Sequence, residues 1–183
     1  MKVKEAFTKI SKLDEYVALA VVDSKNYQKT NTELIKSFSD KKIPGVYITL
    51  SKPYETLIKI FKKSKIDPRT IIFIDTVTKT AGGEVEKKEN CLFIGTPENL
   101  SDIGIAMDQA VQAIGKQKFV FFDSLSTLLI YNDAGSVAKF IHFLASKMRV
   151  WKVKGIIVSL KRKEDDKLIR EILQFCDVML DIK

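Results

Sequence analysis

Two aspartates that end apolar stretches are the first residues whose type and position could do chemistry. Asp75 ends the stretch IIFID, and Asp123 ends FVFFD and precedes SLSTL. A carboxylate at the end of a buried strand is the group with which nucleotide-dependent enzymes orient a magnesium ion. An aspartate in this position also caps the following loop by accepting hydrogen bonds from backbone amides. Both interpretations of Asp123 stay open at this stage.

A second segment, DSKNYQKT at residues 23–30, has the spacing of a phosphate-binding loop, which reads G-x-x-x-x-G-K-[ST]. Lys29 and Thr30 match that pattern, but Asp23 and Gln28 stand where it requires glycine. Glycine lets the backbone adopt strained angles and approach phosphates closely. Gln28 adds a side chain there and Asp23 adds a negative charge. A helix amino terminus with Lys29 beside it therefore predicts a weak anion site rather than a tight one.

Apolar stretches of strand length alternate with longer amphipathic stretches along the chain. The predicted strands are 16–22, 46–50, 71–75, 91–94, 119–123, 155–160 and 178–182, and the predicted helices include 1–14, 32–41, 133–150 and 165–175, with others after Pro53 and Pro97. This alternation predicts an α/β fold of three layers, α/β/α, with a mostly parallel sheet. Ligands bind beyond the carboxyl ends of such strands, which is where Asp75 and Asp123 fall.

The length of 183 residues predicts a single domain spanning 1–183. Residues 76–90 are polar and include two glycines, so we expect a long mobile loop there, and a second loop after Asp123. No stretch has the roughly 18 apolar residues of a membrane span, and no secretory leader precedes the first helix. Cys91 and Cys176 match no metal spacing and predict reduced thiols in a cytoplasmic protein without membrane contact.

Positive charge is concentrated in the first part of the chain. The net charge is +8; residues 1–80 carry 16 Lys/Arg against 9 Asp/Glu, or +7, and residues 81–183 carry 15 against 14, or +1. Such a lysine-rich half fits either a solvated surface or a nucleic-acid partner. The basic residues 161–163, which follow a predicted strand, likewise fit either a phosphate contact or a solvated turn. The single histidine, His142, excludes a metal site built on a histidine pair.

Taken in order, these motifs resemble the RecA-like ATPases, in particular the branch of KaiC and its archaeal relatives. The segment at 23–30 resembles the phosphate loop, PGVYITL at 44–50 the strand after the first helix, FVFFDSLSTL at 119–128 the magnesium-orienting strand, and GIIVS at 155–159 the next strand. The resemblance covers roughly residues 15–182. It implies a RecA-like P-loop NTPase fold and a vestigial nucleotide site at Asp23, Gln28, Lys29, Thr30, Asp123 and Ser124. Magnesium would bind at Asp123 only together with a nucleotide.

In the same family the general base is a glutamate just after the second strand. Ser51 and Lys52 hold those positions here, and neither deprotonates water near neutral pH. No catalytic residue is therefore assigned and no cofactor is required. The favoured hypothesis is a non-catalytic RecA-like domain that acts through a protein partner or self-association. The alternatives are a weak ATP- and magnesium-binding protein or ATPase that uses Lys29, Thr30 and Asp123, and a nucleic-acid-binding module.

Overall fold

A computed structural model describes residues 1–115, 117–162 and 165–183. Within them the chain forms seven α-helices, two short 3₁₀ turns and one seven-stranded sheet. The helices are α1 Val3–Ser11, α2 Tyr27–Asp40, α3 Tyr54–Lys63, α4 Leu100–Gln112, α5 Leu125–Tyr131, α6 Ala134–Val150 and α7 Asp166–Leu173. The strands are β1 Tyr16–Val22, β2 Gly45–Thr49, β3 Ile71–Asp75, β4 Cys91–Phe93, β5 Phe119–Asp123, β6 Lys154–Leu160 and β7 Val178–Ile182.

The strand order is β4-β3-β2-β5-β6-β1-β7, and every neighbouring pair is parallel. This confirms the predicted α/β fold. Thr49 at the end of β2 pairs with Asp75 on one side and with Asp123 on the other. The two aspartates therefore lie at the same level of the carboxyl edge of the sheet, separated by one strand.

Helices cover both faces of the sheet. Helices α1, α2 and α3 pack on one face through residues such as Phe38 and Phe61, and α4 to α7 pack on the other through residues such as Met107 and Ile141. Successive strand residues alternate between these faces, so Phe121 joins the first core and Phe122 the second. Asp123, two residues after Phe121, consequently lies on the α1–α3 side.

Two local predictions were wrong. Helix α2 begins at Tyr27 rather than at residue 32. Its buried side includes Asn31 as well as Leu34, Ile35 and Phe38, and the first residues of the helix are largely polar, so hydrophobic periodicity did not reveal them. The segment after Asp123, expected to be a loop, contains helix α5. Ser124 initiates it by accepting a hydrogen bond from the amide of Thr127, at 3.2 Å.

Residues 76–90 contain turns and one isolated bridge between Lys88 and Cys91. Backbone hydrogen bonds close the first turns, from Ala81 to Val77 and from Gly83 to Thr78. The mobility of this segment stays a prediction. No helix in the described ranges is both long and apolar enough to cross a membrane.

Candidate functional site

The candidate site is built around the carboxylate of Asp123 at the end of β5. Asp123 is 3 % exposed. The hydroxyl of Tyr27 donates a hydrogen bond to Oδ1 of Asp123, and the hydroxyl of Tyr47 donates one to Oδ2. Each carboxylate oxygen thus receives a hydrogen bond from a tyrosine distant in the chain.

Sheet register and helix placement bring these three residues together. Tyr47 lies beside Phe121 in the register of β2 and β5, and their rings stack with centroids 5.1 Å apart. Its hydroxyl reaches the next residue of β5 on the same face, Asp123. Tyr27 is the first residue of α2, and Asn31 follows it by one helical turn on the same side. The edge of the α1–α3 core is therefore closed by polar groups directed at one carboxylate.

Burial dominates the electrostatics of this cluster. Burial raises the pKa of Asp123, while the hydrogen bonds from Tyr27 and Tyr47 and the positive charge of Lys52 act to lower it. Burial, followed by the nearby Asp123 carboxylate, raises the pKa values of both Tyr27 and Tyr47. Both hydroxyls consequently keep their protons at neutral pH and remain donors to Asp123.

Asn31 is the remaining polar neighbour. It is 2 % exposed, and its amide acts to lower the pKa values of Asp123 and both tyrosines. Within the described residues its Oδ1 and Nδ2 make no hydrogen bond of regular geometry. Asn31 thus adds a buried polar group to the cluster.

The segment predicted to bind phosphate forms a compact turn. The carboxylate of Asp23 accepts a hydrogen bond from the amide of Lys25 at 2.9 Å, and the carbonyl of Asp23 accepts one from the amide of Asn26 at 3.1 Å. These bonds close the 3₁₀ turn Ser24–Asn26 directly before α2. The backbone amides of Lys25 and Asn26 are thus engaged within the turn.

The residues of the predicted phosphate loop that match or replace its motif do not contact Asp123. The side chain of Lys29 is 75 % exposed, and its Nζ lies 4.0 Å from the carboxylate of Glu33. Nε2 of Gln28 donates a hydrogen bond to Oγ1 of Thr32 at 3.2 Å. Thr30 is buried and lines a groove of about 490 Å³ on the side of α2 facing α1. Tyr27, rather than Lys29 or Thr30, is the contact of this segment with Asp123.

Ser124, the other residue implied by the resemblance, is buried and caps α5. Of the two residues that the resemblance aligns with the general base, Ser51 is exposed and Lys52 is half-buried. The carbonyl of Lys52 accepts a hydrogen bond from Oγ1 of Thr49 at 2.7 Å. The positive charge of the Lys52 side chain acts to lower the pKa of Asp123.

Asp75 has a different set of donors. Its carboxylate accepts hydrogen bonds from the amides of Tyr54, Val77 and Thr78 at 2.7, 2.7 and 2.9 Å, and from Oγ1 of Thr78 at 2.6 Å. It fixes the loop after β3 and the start of α3. This arrangement is that of a loop cap.

Each oxygen of Asp123 already accepts one tyrosine hydrogen bond and keeps a second lone pair, so a bound magnesium ion would share this carboxylate with the two hydroxyls. Across the described parts of the chain, no group of three histidine, cysteine, aspartate or glutamate residues could hold a metal ion. The chemistry that this arrangement supports is retention of a buried carboxylate by two protonated phenols.

Sequence reasoning missed Tyr27, Asn31 and Tyr47. One signal was available, since a tyrosine in an otherwise apolar buried strand requires a partner for its hydroxyl. Among the basic residues 161–163, Lys161 forms an ion pair with Asp181 at 2.9 Å. Lys163 lies outside the described residues.

The fold is RecA-like, as its similarity to solved structures shows. A KaiC-like protein, PH0186, from the hyperthermophilic archaeon Pyrococcus horikoshii OT3 matches with a TM-score of 0.63 at 15 % identity, over 92 % of this chain and 72 % of that chain. An uncharacterized protein, PH0321, from Pyrococcus horikoshii in complex with an unknown peptide matches with a TM-score of 0.65 at 12 % identity, over 97 % of this chain and 83 % of that one.

The chain belongs to the family of unknown function DUF7504, whose model matches residues 62–182. This match begins after β2, so it includes Asp123 and excludes Tyr27 and Tyr47. No curated protein matches the sequence.

Proposed function

We propose that the protein is a non-catalytic RecA-like domain that acts by binding a protein partner. The observation that carries this proposal is the engagement of both Asp123 oxygens by Tyr27 and Tyr47. A nucleotide hydrolase needs the carboxylate at this position to hold magnesium or its water. Here the hydroxyls of Tyr27 and Tyr47 donate to that carboxylate, so they would compete with magnesium or its water for it.

Three further features support loss of turnover. The side chain of Lys29 extends into solvent beside Glu33, and the turn at Asp23 uses its own backbone groups internally. Lys52 stands where the resemblance places the general base, and it is not a carboxylate. Each feature removes a separate requirement of phosphoryl transfer, namely charge at the phosphates, amides in the loop and a base for water.

Binding of a protein segment is the activity favoured in place of hydrolysis. PH0321, which shares this fold, was crystallised in complex with an unknown peptide. A fold that has lost its nucleotide chemistry keeps its exposed helix faces, and these remain available to a partner. We therefore assign the function to a surface rather than to the carboxyl edge of the sheet.

The proposal is tested by measuring phosphate release from ATP in the presence of magnesium. We expect no turnover above background, and the same result for Lys29→Ala, because the Lys29 side chain lies in solvent. Lys29→Ala should also leave the fold intact, since loss of its exposed ion pair with Glu33 shifts the free energy of unfolding by less than about 0.5 kcal/mol. Turnover that Lys29→Ala abolishes would contradict the proposal and favour the ATPase alternative.

Nucleotide binding without turnover is tested separately by thermal unfolding at millimolar ATP and magnesium. A ligand present at about 100 times its Kd stabilises a protein by about 2.7 kcal/mol, which such a measurement detects. We expect ATP and magnesium to leave the unfolding temperature of wild type unchanged, and that of Asp123→Asn likewise. Stabilisation of wild type alone would show that ATP reaches Asp123 and would favour the ATP-binding alternative.

A further inference from the structure

A groove lies between helices α4 and α6, on the face of the sheet opposite α2. It has a volume of about 550 Å³. Its apolar lining comes from Leu100, Gly104, Ile105, Phe140 and Phe143, and we call it the α4/α6 groove.

Large apolar side chains remain exposed along this groove. Ile105 is 58 % exposed and Phe143 is 44 % exposed. A second depression, of about 270 Å³, lies on the other side of Ile105 and is lined by Leu92 and Ile94, both half-buried. The apolar surface therefore continues across α4 from α6 to the edge of the sheet. Contiguous apolar patches on monomeric proteins mark binding surfaces, whereas single exposed side chains do not.

Gly104 shapes the floor of the groove. A Cβ atom added at this position would lie 3.3 Å from a ring carbon of Phe143, so the absence of a side chain lets that ring lie against α4. The lining runs from Leu100 to Asp108 on α4 and from Ser136 to Phe143 on α6. At 1.5 Å per residue these spans are each about 11–12 Å long, which equals about two turns of a third helix.

The two walls of the groove differ in charge. On α4, Asp108 is neutralised by Lys147, whose Nζ lies 2.9 Å from its carboxylate. On α6, Lys139 is exposed and makes no ion pair with any residue in the described part of the chain. One uncompensated positive charge therefore stands over an apolar floor, and it complements a carboxylate.

We propose that the α4/α6 groove binds a two-turn amphipathic helical segment of a partner protein, with an acidic residue of that segment paired to Lys139. A helix suits the groove because its backbone is hydrogen-bonded internally, and the two lining helices offer no strand edge to an extended chain. Apolar residues at positions i, i+3 or i+4 of the segment would cover Ile105 and Phe143. This inference rests on the proposed function and names its surface and the chemistry of its partner.

The test uses a displayed library of helical peptides of about 15 residues, randomised on one face and selected against the full chain. This length is used because shorter isolated helices are marginal in water. We expect the selected peptides to share apolar residues at helical spacing and one acidic residue. Their affinities for purified variants are then measured by fluorescence anisotropy. A library that yields no binder overturns the proposal.

Ile105→Asp should weaken binding at least tenfold, since it puts a charge on the apolar floor. Leu13→Asp is the matched control, because Leu13 is 41 % exposed and follows α1 on the opposite side of the sheet. Lys139→Glu should reverse the preference between a peptide with the acidic residue and its lysine counterpart. Both substituted groove positions are exposed, and unchanged unfolding temperatures verify their folds. Peptides that bind Ile105→Asp as well as wild type would overturn the proposal.

A second copy of the chain is the remaining occupant to exclude. Light scattering that shows a dimer of wild type and a monomer of Ile105→Asp would assign the groove to self-association and overturn the partner-helix proposal. A dimer of this kind would not contradict the proposed function, because that proposal is tested by ATP turnover and by stabilisation with nucleotide. Absence of peptide binding together with absence of turnover would remove the groove assignment alone.

Discussion

Asp75 and Asp123 end strands on either side of β2, opposite the same residue, Thr49, yet they are held in different ways. Asp75 accepts hydrogen bonds from the hydroxyl of Thr78 and from three backbone amides. Asp123 takes its bonds from two phenol side chains, 96 and 76 residues away in sequence. Both carboxylates are buried at the same level of the sheet, and they differ in their hydrogen-bond donors, which are mainly backbone amides for Asp75 and two side chains for Asp123.

The donors also determine how each site can change. Backbone amides persist whatever residue carries them, so the Asp75 site depends on the aspartate itself. The Asp123 site depends equally on Tyr27 and Tyr47, and a change at either would free one carboxylate oxygen. An apolar strand that ends in aspartate thus predicts where the carboxylate lies in the sheet but not which groups donate hydrogen bonds to it.

The largest effect that tests this difference is expected from Asp75→Ala. Three backbone amides would lose their acceptor, and each buried unsatisfied donor costs about 1–3 kcal/mol. We expect a loss of about 3 kcal/mol or more in the free energy of unfolding, measured by urea denaturation. A loss below about 1 kcal/mol would show that solvent replaces the cap and that the two aspartates do not differ as described.

Tyr47→Phe should have an intermediate effect. It leaves Oδ2 of the buried Asp123 without its donor, and we expect a loss of about 1–3 kcal/mol in unfolding free energy. Tyr16→Phe is the matched control, because the Tyr16 hydroxyl is buried without a hydrogen-bond partner in the described residues. Removing that hydroxyl should be neutral or stabilising. Equal losses in the two variants would mean that the bond to Asp123 contributes nothing.

The smallest effect is a pH dependence assigned to Asp123. Because burial raises its pKa in the folded protein above the value near 3.9 of the unfolded chain, the folded state binds the proton more tightly. Its contribution to stability is therefore complete below about pH 4 and is lost as the pH rises through the raised value. Wild type should become less stable relative to Asp123→Asn over that range in urea denaturation. A difference that is constant with pH, or of opposite sign, would contradict the assignment.

Much of the fold could be predicted from local pattern. The stretches IIFID and FVFFD are apolar over a strand length and are buried strands in the structure. Helix α6 was predicted from residue 133 and begins at Ala134 after the cap Asp133. The start of α2 could not be predicted this way, because the first residues of the helix are largely polar in sequence, although Thr30 and Asn31 are buried in the structure.

The sequence alone determined a parallel α/β sheet with aspartates at its carboxyl edge, because hydrophobic periodicity and strand-end residues are local properties of the chain. Only the tertiary structure decided what those aspartates contact. Tyr27 and Tyr47 reach Asp123 through the rotation of α2 and the register of β2 on β5, which no spacing along the chain encodes. The contacts of a buried charge depend on packing between distant elements, and packing is a property of the folded state.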